Sequence, residues 1–100
     1  MRSLFALFAF AARMALMPHG TAKAGLEEGR AAYARADYGA ALNKLMPLAK
    51  AGNAHAQRML GILYRPGQGV AKNAERALHW TQEAVKQGDA GAHFNLANMI

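Results

Sequence analysis

The stretch GNAHAQRMLGILYRPGQGV, residues 52–70, decides the fold of this chain. It opens with a glycine and a residue suited to cap a helix, and it ends in a turn that contains proline and two glycines. Between these ends, apolar residues recur at helical spacing, at Ala56, Met59, Leu60, Leu63 and Tyr64. The pattern predicts a helix over 54–64, a loop, and a second helix that Asn73 caps and that runs to Gln87.

The same pattern begins again 36 residues further along the chain. In this register Gly52 aligns with Gly88 and Asn53 with Asp89, and the three residues Ala54, Ala56 and Leu60 align with Ala90, Ala92 and Leu96. Each glycine suits the left-handed position just past a helix end, and the residue after it suits an N-cap. A unit of about 36 residues is typical of solenoids built from paired helices.

Upstream of this unit, the sequence predicts an earlier helix pair over 26–35 and 39–51, joined by a short turn. Pro47 should kink the second of these helices or split its last turn. The expected fold is therefore all-α, a right-handed α-solenoid of paired antiparallel helices whose last repeat is truncated. Small residues should let the helices approach closely, at Ala54, Ala56, Gly61, Ala77 and Ala84. Larger side chains should fill the space between layers, at Leu60, Leu63, Tyr64, Leu78 and Trp80.

These residues resemble the Sel-one-like repeat (SLR) family, a relative of the tetratricopeptide repeats. The resemblance rests on GNAHAQ, LGILY and GQGV in the first helix and loop, and on ALHW in the second helix. It implies a tetratricopeptide-like pair over 25–51, one SLR repeat over 52–87 and part of another over 88–100. Asn73 stands where the family usually has aspartate. The implied structural repeat positions are Gly52, Ala56, Leu60, Gly61, Tyr64, Gly67, Gly69, Ala77, Trp80, Ala84 and Gly88.

The first 24 residues differ in composition from the rest of the chain. They contain three basic residues and no acid, and LFALFAFAA over 4–12 is an unbroken apolar run. Ala22 and Ala24 supply the small residues that a signal peptidase reads. The segment therefore predicts a cleaved export signal, with no stable membrane span left after cleavage. It places the protein in the periplasm or outside a bacterial cell. An organellar transit peptide, an uncleaved membrane anchor or an ordinary helix is the alternative.

Charge and cysteine content exclude several classes of protein. Twelve basic residues against six acids give a net charge of +6, and the chain has no cysteine. The absence of cysteine excludes disulfides, thiolate nucleophiles and cysteine-based metal sites. Three basic residues belong to the predicted signal, so the remainder carries +3 with its acids interleaved among the bases. That balance gives no basic stripe, and we therefore expect no nucleic acid as a partner.

The sequence offers no residues for catalysis, metal binding or a cofactor. The four histidines, His19, His55, His79 and His93, are not spaced as a ligand pair on one helix, and they suit solvated helix faces. The loop Gly67–Gly69 lacks the strand and the third glycine of a phosphate-binding loop. No nucleophile is paired with a base. Some exported SLR relatives are linked to binding or cleaving cell-wall-type compounds such as β-lactams or peptidoglycan, but those relatives are rich in cysteine.

The remaining candidate for function is the surface formed by the first helix of each repeat. In paired-helix solenoids this surface lines a groove that binds peptides or partner proteins. The side chains predicted to face it are His55, Arg58, Met59, Ile62, Phe94, Asn95 and Asn98, although inter-repeat packing would also explain them. The resemblance implies an exported, non-catalytic scaffold for protein–protein interaction. A cell-wall-associated hydrolase-like or binding protein, or a membrane-anchored adaptor, is the alternative.

Overall fold

A computed structural model describes residues 23–99, and within this range all regular secondary structure is helical. Helix α1 covers residues 23–34, and it is followed by α2 (Tyr38–Lys50), α3 (Ala54–Tyr64), α4 (Ala74–Lys86) and α5 (Ala90–Met99). The predicted all-α fold class is thus confirmed. The predicted export signal lies almost entirely outside the described residues, but its Ala24 is an exposed residue of α1.

Short polar side chains begin the helices at the predicted places. The Oδ1 of Asn53 accepts a hydrogen bond from the Ala56 amide at 2.9 Å, and that of Asn73 accepts one from the Arg76 amide at 2.9 Å. Asp89 caps α5 in the same way. These side chains satisfy amides that have no partner inside the helix. Asp37, which the sequence placed only in a turn, is the corresponding cap of α2.

Glycines end two of the helices in the left-handed conformation, as predicted. Gly52 has a φ of 100° and Gly88 a φ of 82°. In each case the amide of the next residue donates back to a carbonyl five residues earlier, Asn53 to Leu48 at 2.9 Å and Asp89 to Ala84 at 3.2 Å. This is the Schellman motif, which satisfies the last carbonyls of a helix.

The helices pack mainly on their neighbours in the sequence, α2 against α3, α3 against α4 and α4 against α5. Leu45, Leu60 and Leu63 are the largest apolar side chains that are completely buried. Alanines fill much of the remaining core, at Ala32, Ala41, Ala49, Ala56, Ala77, Ala84 and Ala92. Packing between successive elements is typical of helical repeats. The right-handed solenoid and the division into units 25–51, 52–87 and 88–100 stay predictions.

Gly61 lies where α3 packs against α4 with no room for a side chain. A Cβ atom at this position would collide with the Thr81 Oγ1 and would lie 3.2 Å from the Ala77 carbonyl oxygen. Thr81 is itself fixed, because its hydroxyl donates to that same carbonyl at 2.7 Å. The side chain of Ala54, which was expected in this interface, is only half-buried.

One packing prediction is wrong, and so is one of the two alternatives expected for Pro47. Leu78 was expected to fill space between layers, but it is 37% exposed and lines an open cavity together with Arg65 and Met99. Pro47 does not split the last turn of α2, which continues to Lys50, whereas the kink expected as the alternative stays a prediction. The proline is on the exposed side of the helix, and the Asn43 residue whose carbonyl loses its amide partner is also exposed. That carbonyl can therefore bond to water.

Three helix ends are tied together by glutamine side chains that the sequence did not single out. Gln57 is only 5% exposed, and its Nε2 donates to the Ala49 carbonyl at 3.1 Å. The Nε2 of Gln87 donates to the Gln57 Oε1 at 2.9 Å and to the Gly52 carbonyl at 2.8 Å. A buried amide is stable only with such partners, so these bonds fix the end of α2 against α3 and α4.

We expect Gly61→Ala to lower the free energy of unfolding by about 1–3 kcal/mol, because the new methyl group displaces Thr81 and breaks its hydrogen bond. Gly39→Ala is the matched control. This glycine is inside α2 with nothing within 4 Å of an added Cβ, so the change should stabilise the helix by about 0.5–1 kcal/mol. Urea unfolding followed by circular dichroism measures both values. Equal effects at the two positions would contradict close packing at Gly61.

Candidate functional site

An open cavity of about 580 Å³ lies between α1, α3 and α5. Tyr33 contributes to it from α1, and Asn95 and Met99 contribute from α5. The rest of the lining comes from α3, the loop after it and α4, and consists of Gly61, Ile62, Arg65, Pro66, Gln68 and Thr81. We call this cavity the groove. Its volume lies within the range of pockets that bind small ligands or single side chains of a partner.

The lining of the groove combines apolar surface with hydrogen-bond donors. Ile62 and Met99 are half-buried apolar side chains. Arg65 is exposed, and its Nη2 donates to the Asn98 carbonyl at 3.1 Å, which holds the guanidinium across the gap between α3 and α5. Because a guanidinium has five N–H donors, Arg65 keeps donors for a ligand. No carboxylate contributes to the lining.

Two of the seven residues predicted to face a partner, Ile62 and Asn95, line this cavity. Met59 instead packs against the core cluster, and Phe94 is 69% exposed without lining the cavity. Asn98 is exposed and contributes its backbone carbonyl to Arg65. The other two predicted residues, His55 and Arg58, belong to a separate cluster around Asp89.

Asp89 connects the beginning of α5 to α3. Its side chain is only 7% exposed, and its Oδ1 lies 2.8 Å from the Ala92 amide that it caps and 3.2 Å from the Arg58 Nε. The Arg58 Nε is buried and is not aligned for a hydrogen bond, so the contact is an attraction between charges. A buried carboxylate needs such partners to offset the loss of water.

His55 completes the cluster at its exposed side. Its Nδ1 lies 3.2 Å from the Arg58 Nη2 and 3.6 Å from the Asp89 Oδ2. A guanidinium can only donate, so the contact with Arg58 requires Nδ1 to be the unprotonated nitrogen of the ring. Gly91 lies directly over this arginine, since a Cβ there would be 2.7 Å from the Arg58 Nη1. These contacts attach α5 to α3 and leave Arg58 little freedom to meet a partner.

Sequence reasoning missed Arg65 and Tyr33 in the groove. Arg65 follows Ile62 by three residues and so continues the same side of α3 by almost one turn. This spacing is a signal for Arg65, although the residue lies just past the end of the helix predicted over 54–64. Tyr33 had no comparable signal, because its place depends on how α1 packs.

Within residues 23–99, no helix has both the length and the apolar character that a membrane crossing requires. The same part of the chain has no group of three histidine, aspartate or glutamate side chains arranged to hold a metal ion. His55, His79 and His93 are exposed, as predicted for solvated helix faces, and His19 lies outside the described residues.

The model of the Sel1 repeat family matches residues 54–89. These residues include α3, the loop after it, α4 and the Asp89 cap of α5. This stretch is therefore an SLR-type helical repeat, as the resemblance in the sequence implied. Repeats of this family typically mediate interactions between proteins. No solved structure matches the chain.

Substitutions of Asp89 should separate its two roles. Asp89→Asn keeps an oxygen for the Ala92 amide but leaves the buried Arg58 Nε without an opposite charge, and we expect a cost of about 1–3 kcal/mol. Asp89→Ala also removes the cap and should cost about 1 kcal/mol more. Asn53→Ala, which removes only a cap, is the control. Urea unfolding gives the free energies, and hydrogen exchange of the α5 amides shows whether α5 detaches first. An Asp89→Asn variant as stable as the parent would contradict the ion pair.

Proposed function

We propose that this chain, whose residues 54–89 form a Sel1 repeat, is an exported, non-catalytic scaffold that binds a segment of a partner protein in the groove. The observation that carries the proposal is the cavity between α1, α3 and α5, which has apolar side chains and free donors side by side. The absence of cysteine and of a nucleophile–base pair in the sequence supports a non-catalytic role.

The chemistry of the groove suits an extended peptide. Ile62 and Met99 provide contact for an apolar side chain, and a thioether adapts easily to side chains of different shape. An extended segment also has backbone carbonyls that need donors. Arg65 and the Asn95 amide are among the groups that would supply them, whereas the Thr81 hydroxyl is already used within α4.

Export is supported by the first 24 residues, with their basic start, short apolar run and Ala22–Ala24 exit. We expect the mature protein in its native host to begin at Gly25, because a signal peptidase would cut after Ala24. Mass spectrometry of the N-terminus measures this directly. An intact Met1 in the purified protein would contradict cleavage and would favour a membrane anchor or a protein that is not exported.

Peptide selection tests the groove. Peptides selected from a random displayed library on the full chain should bind with micromolar affinity, and Asn95→Tyr should weaken them at least about tenfold because the ring occupies the cavity. Fluorescence anisotropy with the labelled peptides measures the affinity. Arg65→Gln should also weaken binding, since it removes the charged donors.

Asn98→Tyr is the matched control for this experiment. It makes the same change on the same helix, at an exposed position outside the lining of the groove. We expect the selected peptides to bind this variant as they bind the parent chain. Peptides that bind the Asn95→Tyr and Asn98→Tyr variants equally well would place their site elsewhere and would contradict the proposed groove.

A further inference from the structure

We propose that a second cleft, between α2 and α4, binds an acidic peptide segment that carries an apolar side chain beside its carboxylate. The cleft has a volume of about 330 Å³. Its lining consists of Met46, Lys50, Tyr64, Arg76, His79 and Trp80, and it shares no residue with the lining of the groove. The two surfaces are therefore separate.

Two cations at this cleft have no acidic partner within the described part of the chain. No ion pair within residues 23–99 involves Lys50 or Arg76, and both side chains belong to exposed residues. No carboxylate contributes to the lining of the cleft. Two cations at one small cleft attract an anion, and a guanidinium can bind a carboxylate with two parallel hydrogen bonds.

Tyr64 holds the guanidinium in place. This tyrosine is 2% exposed and forms the floor of the cleft. The Arg76 Cζ lies 5.8 Å from the centre of its ring, and the Arg76 Nη1 donates to its hydroxyl at 3.4 Å. Holding Arg76 over the ring in this way reduces the conformational entropy that binding would otherwise cost.

Trp80 and Met46 provide the apolar part of the cleft. Both side chains are half-buried and pack against the core cluster. The His79 ring meets the Trp80 ring edge-on, with 4.9 Å between the ring centres, and so limits its rotation. An aliphatic or aromatic side chain next to the bound carboxylate would lie on this surface. A site that recognises both parts of a ligand distinguishes it from a simple anion.

The charges on α4 favour a short acidic segment over an extended polyanion. Glu75 and Glu83 lie on the same helix as Arg76. Glu83 accepts a hydrogen bond from the Lys86 Nζ at 2.6 Å, and this bond and the lysine charge lower the pKa of its carboxyl, so it is ionised at neutral pH. A nucleic acid or an anionic membrane extends over many charges and would meet these carboxylates. A peptide with one or two acidic side chains can avoid them.

The cleft can be tested with an intrinsic probe, because Trp80 is the only tryptophan in the chain. A tetrapeptide of alternating glutamate and leucine, blocked at both ends so that it carries only two carboxylates, is titrated into the full chain at low ionic strength. We expect a saturable change in tryptophan emission. The matching peptide of glutamine and leucine should bind about tenfold more weakly, since it lacks the charge-assisted hydrogen bonds.

Variants test which cations bind the peptide. Lys50→Gln combined with Arg76→Gln should weaken binding of the glutamate peptide at least about tenfold. Arg30→Gln combined with Lys72→Gln removes the same charge at exposed residues outside the lining and should leave the affinity unchanged. Lys50→Gln alone changes an exposed side chain in the last turn of α2 and should still weaken binding, so the test holds even if the Arg76 substitution disturbs the fold.

Several results would overturn the acidic-peptide cleft. These are equal affinity for the two peptides, an unchanged affinity in the Lys50 and Arg76 variants, or a larger response of Trp80 to duplex DNA or to vesicles of anionic phospholipid than to the peptide. Binding that survives Asn95→Tyr supports this cleft, because that substitution blocks only the groove. The proposal for the cleft can therefore be contradicted while the proposal for the groove stands, and the reverse.

Discussion

The close approach of α3 and α4 at Gly61 is the contact on which the rest of the described structure depends. The Thr81 side chain takes the space of the missing Cβ and directs its hydroxyl to the Ala77 carbonyl at 2.7 Å. With no larger group between the helices, Leu60 and Leu63 are completely buried. The same approach places Gly61 and Thr81 in the lining of the groove. Core packing and the shape of the candidate site thus have one origin.

The second constraint is the connection between successive helices. Three helices in the described chain end with a left-handed residue that is followed at once by a capping side chain, at Ala36–Asp37, Gly52–Asn53 and Gly88–Asp89. In each, the capping residue's amide bonds to a carbonyl five residues earlier. Each connection therefore supplies hydrogen-bond partners to carbonyls at the end of one helix and to amides at the start of the next, within a few residues. These bonds fix the direction in which the next helix leaves.

These connections show what the sequence could predict and where it failed. Gly52 and Gly88 revealed their turns because glycine adopts a positive φ easily. The equivalent turn at Ala36, with a φ of 63°, has alanine in that place and gave no signal. Asp37 was consequently not recognised as a cap. Local signals were sufficient for the helices and most caps, but not for a left-handed residue that is not glycine.

The candidate site was predicted less well than the fold, because a helix face is divided among neighbours that the sequence does not reveal. His55, Arg58, Met59 and Ile62 share one side of α3 by their spacing. The start of α5 covers the first part of that side, where Asp89 binds Arg58 and Gly91 lies over it. Only the later part, from Ile62 to Arg65, stays open to the groove. The spacing of these residues along α3 therefore predicted which side of the helix contributes to the site, but not where the site ends.

The arrangement of α3 also explains how a chain this small can offer two separate surfaces. Gly61 and Ile62 of this helix line the groove together with Arg65 just after it, whereas Tyr64 forms the floor of the cleft between α2 and α4. Tyr64 follows Ile62 by two residues, and a step of two residues turns the side chain to the opposite side of a helix. Because Tyr64 is buried and bonded to Arg76, a ligand in the cleft would contact the core of the repeat without entering the groove. Two segments of one partner could then bind at once, and the second would bind at the high effective concentration set by the first.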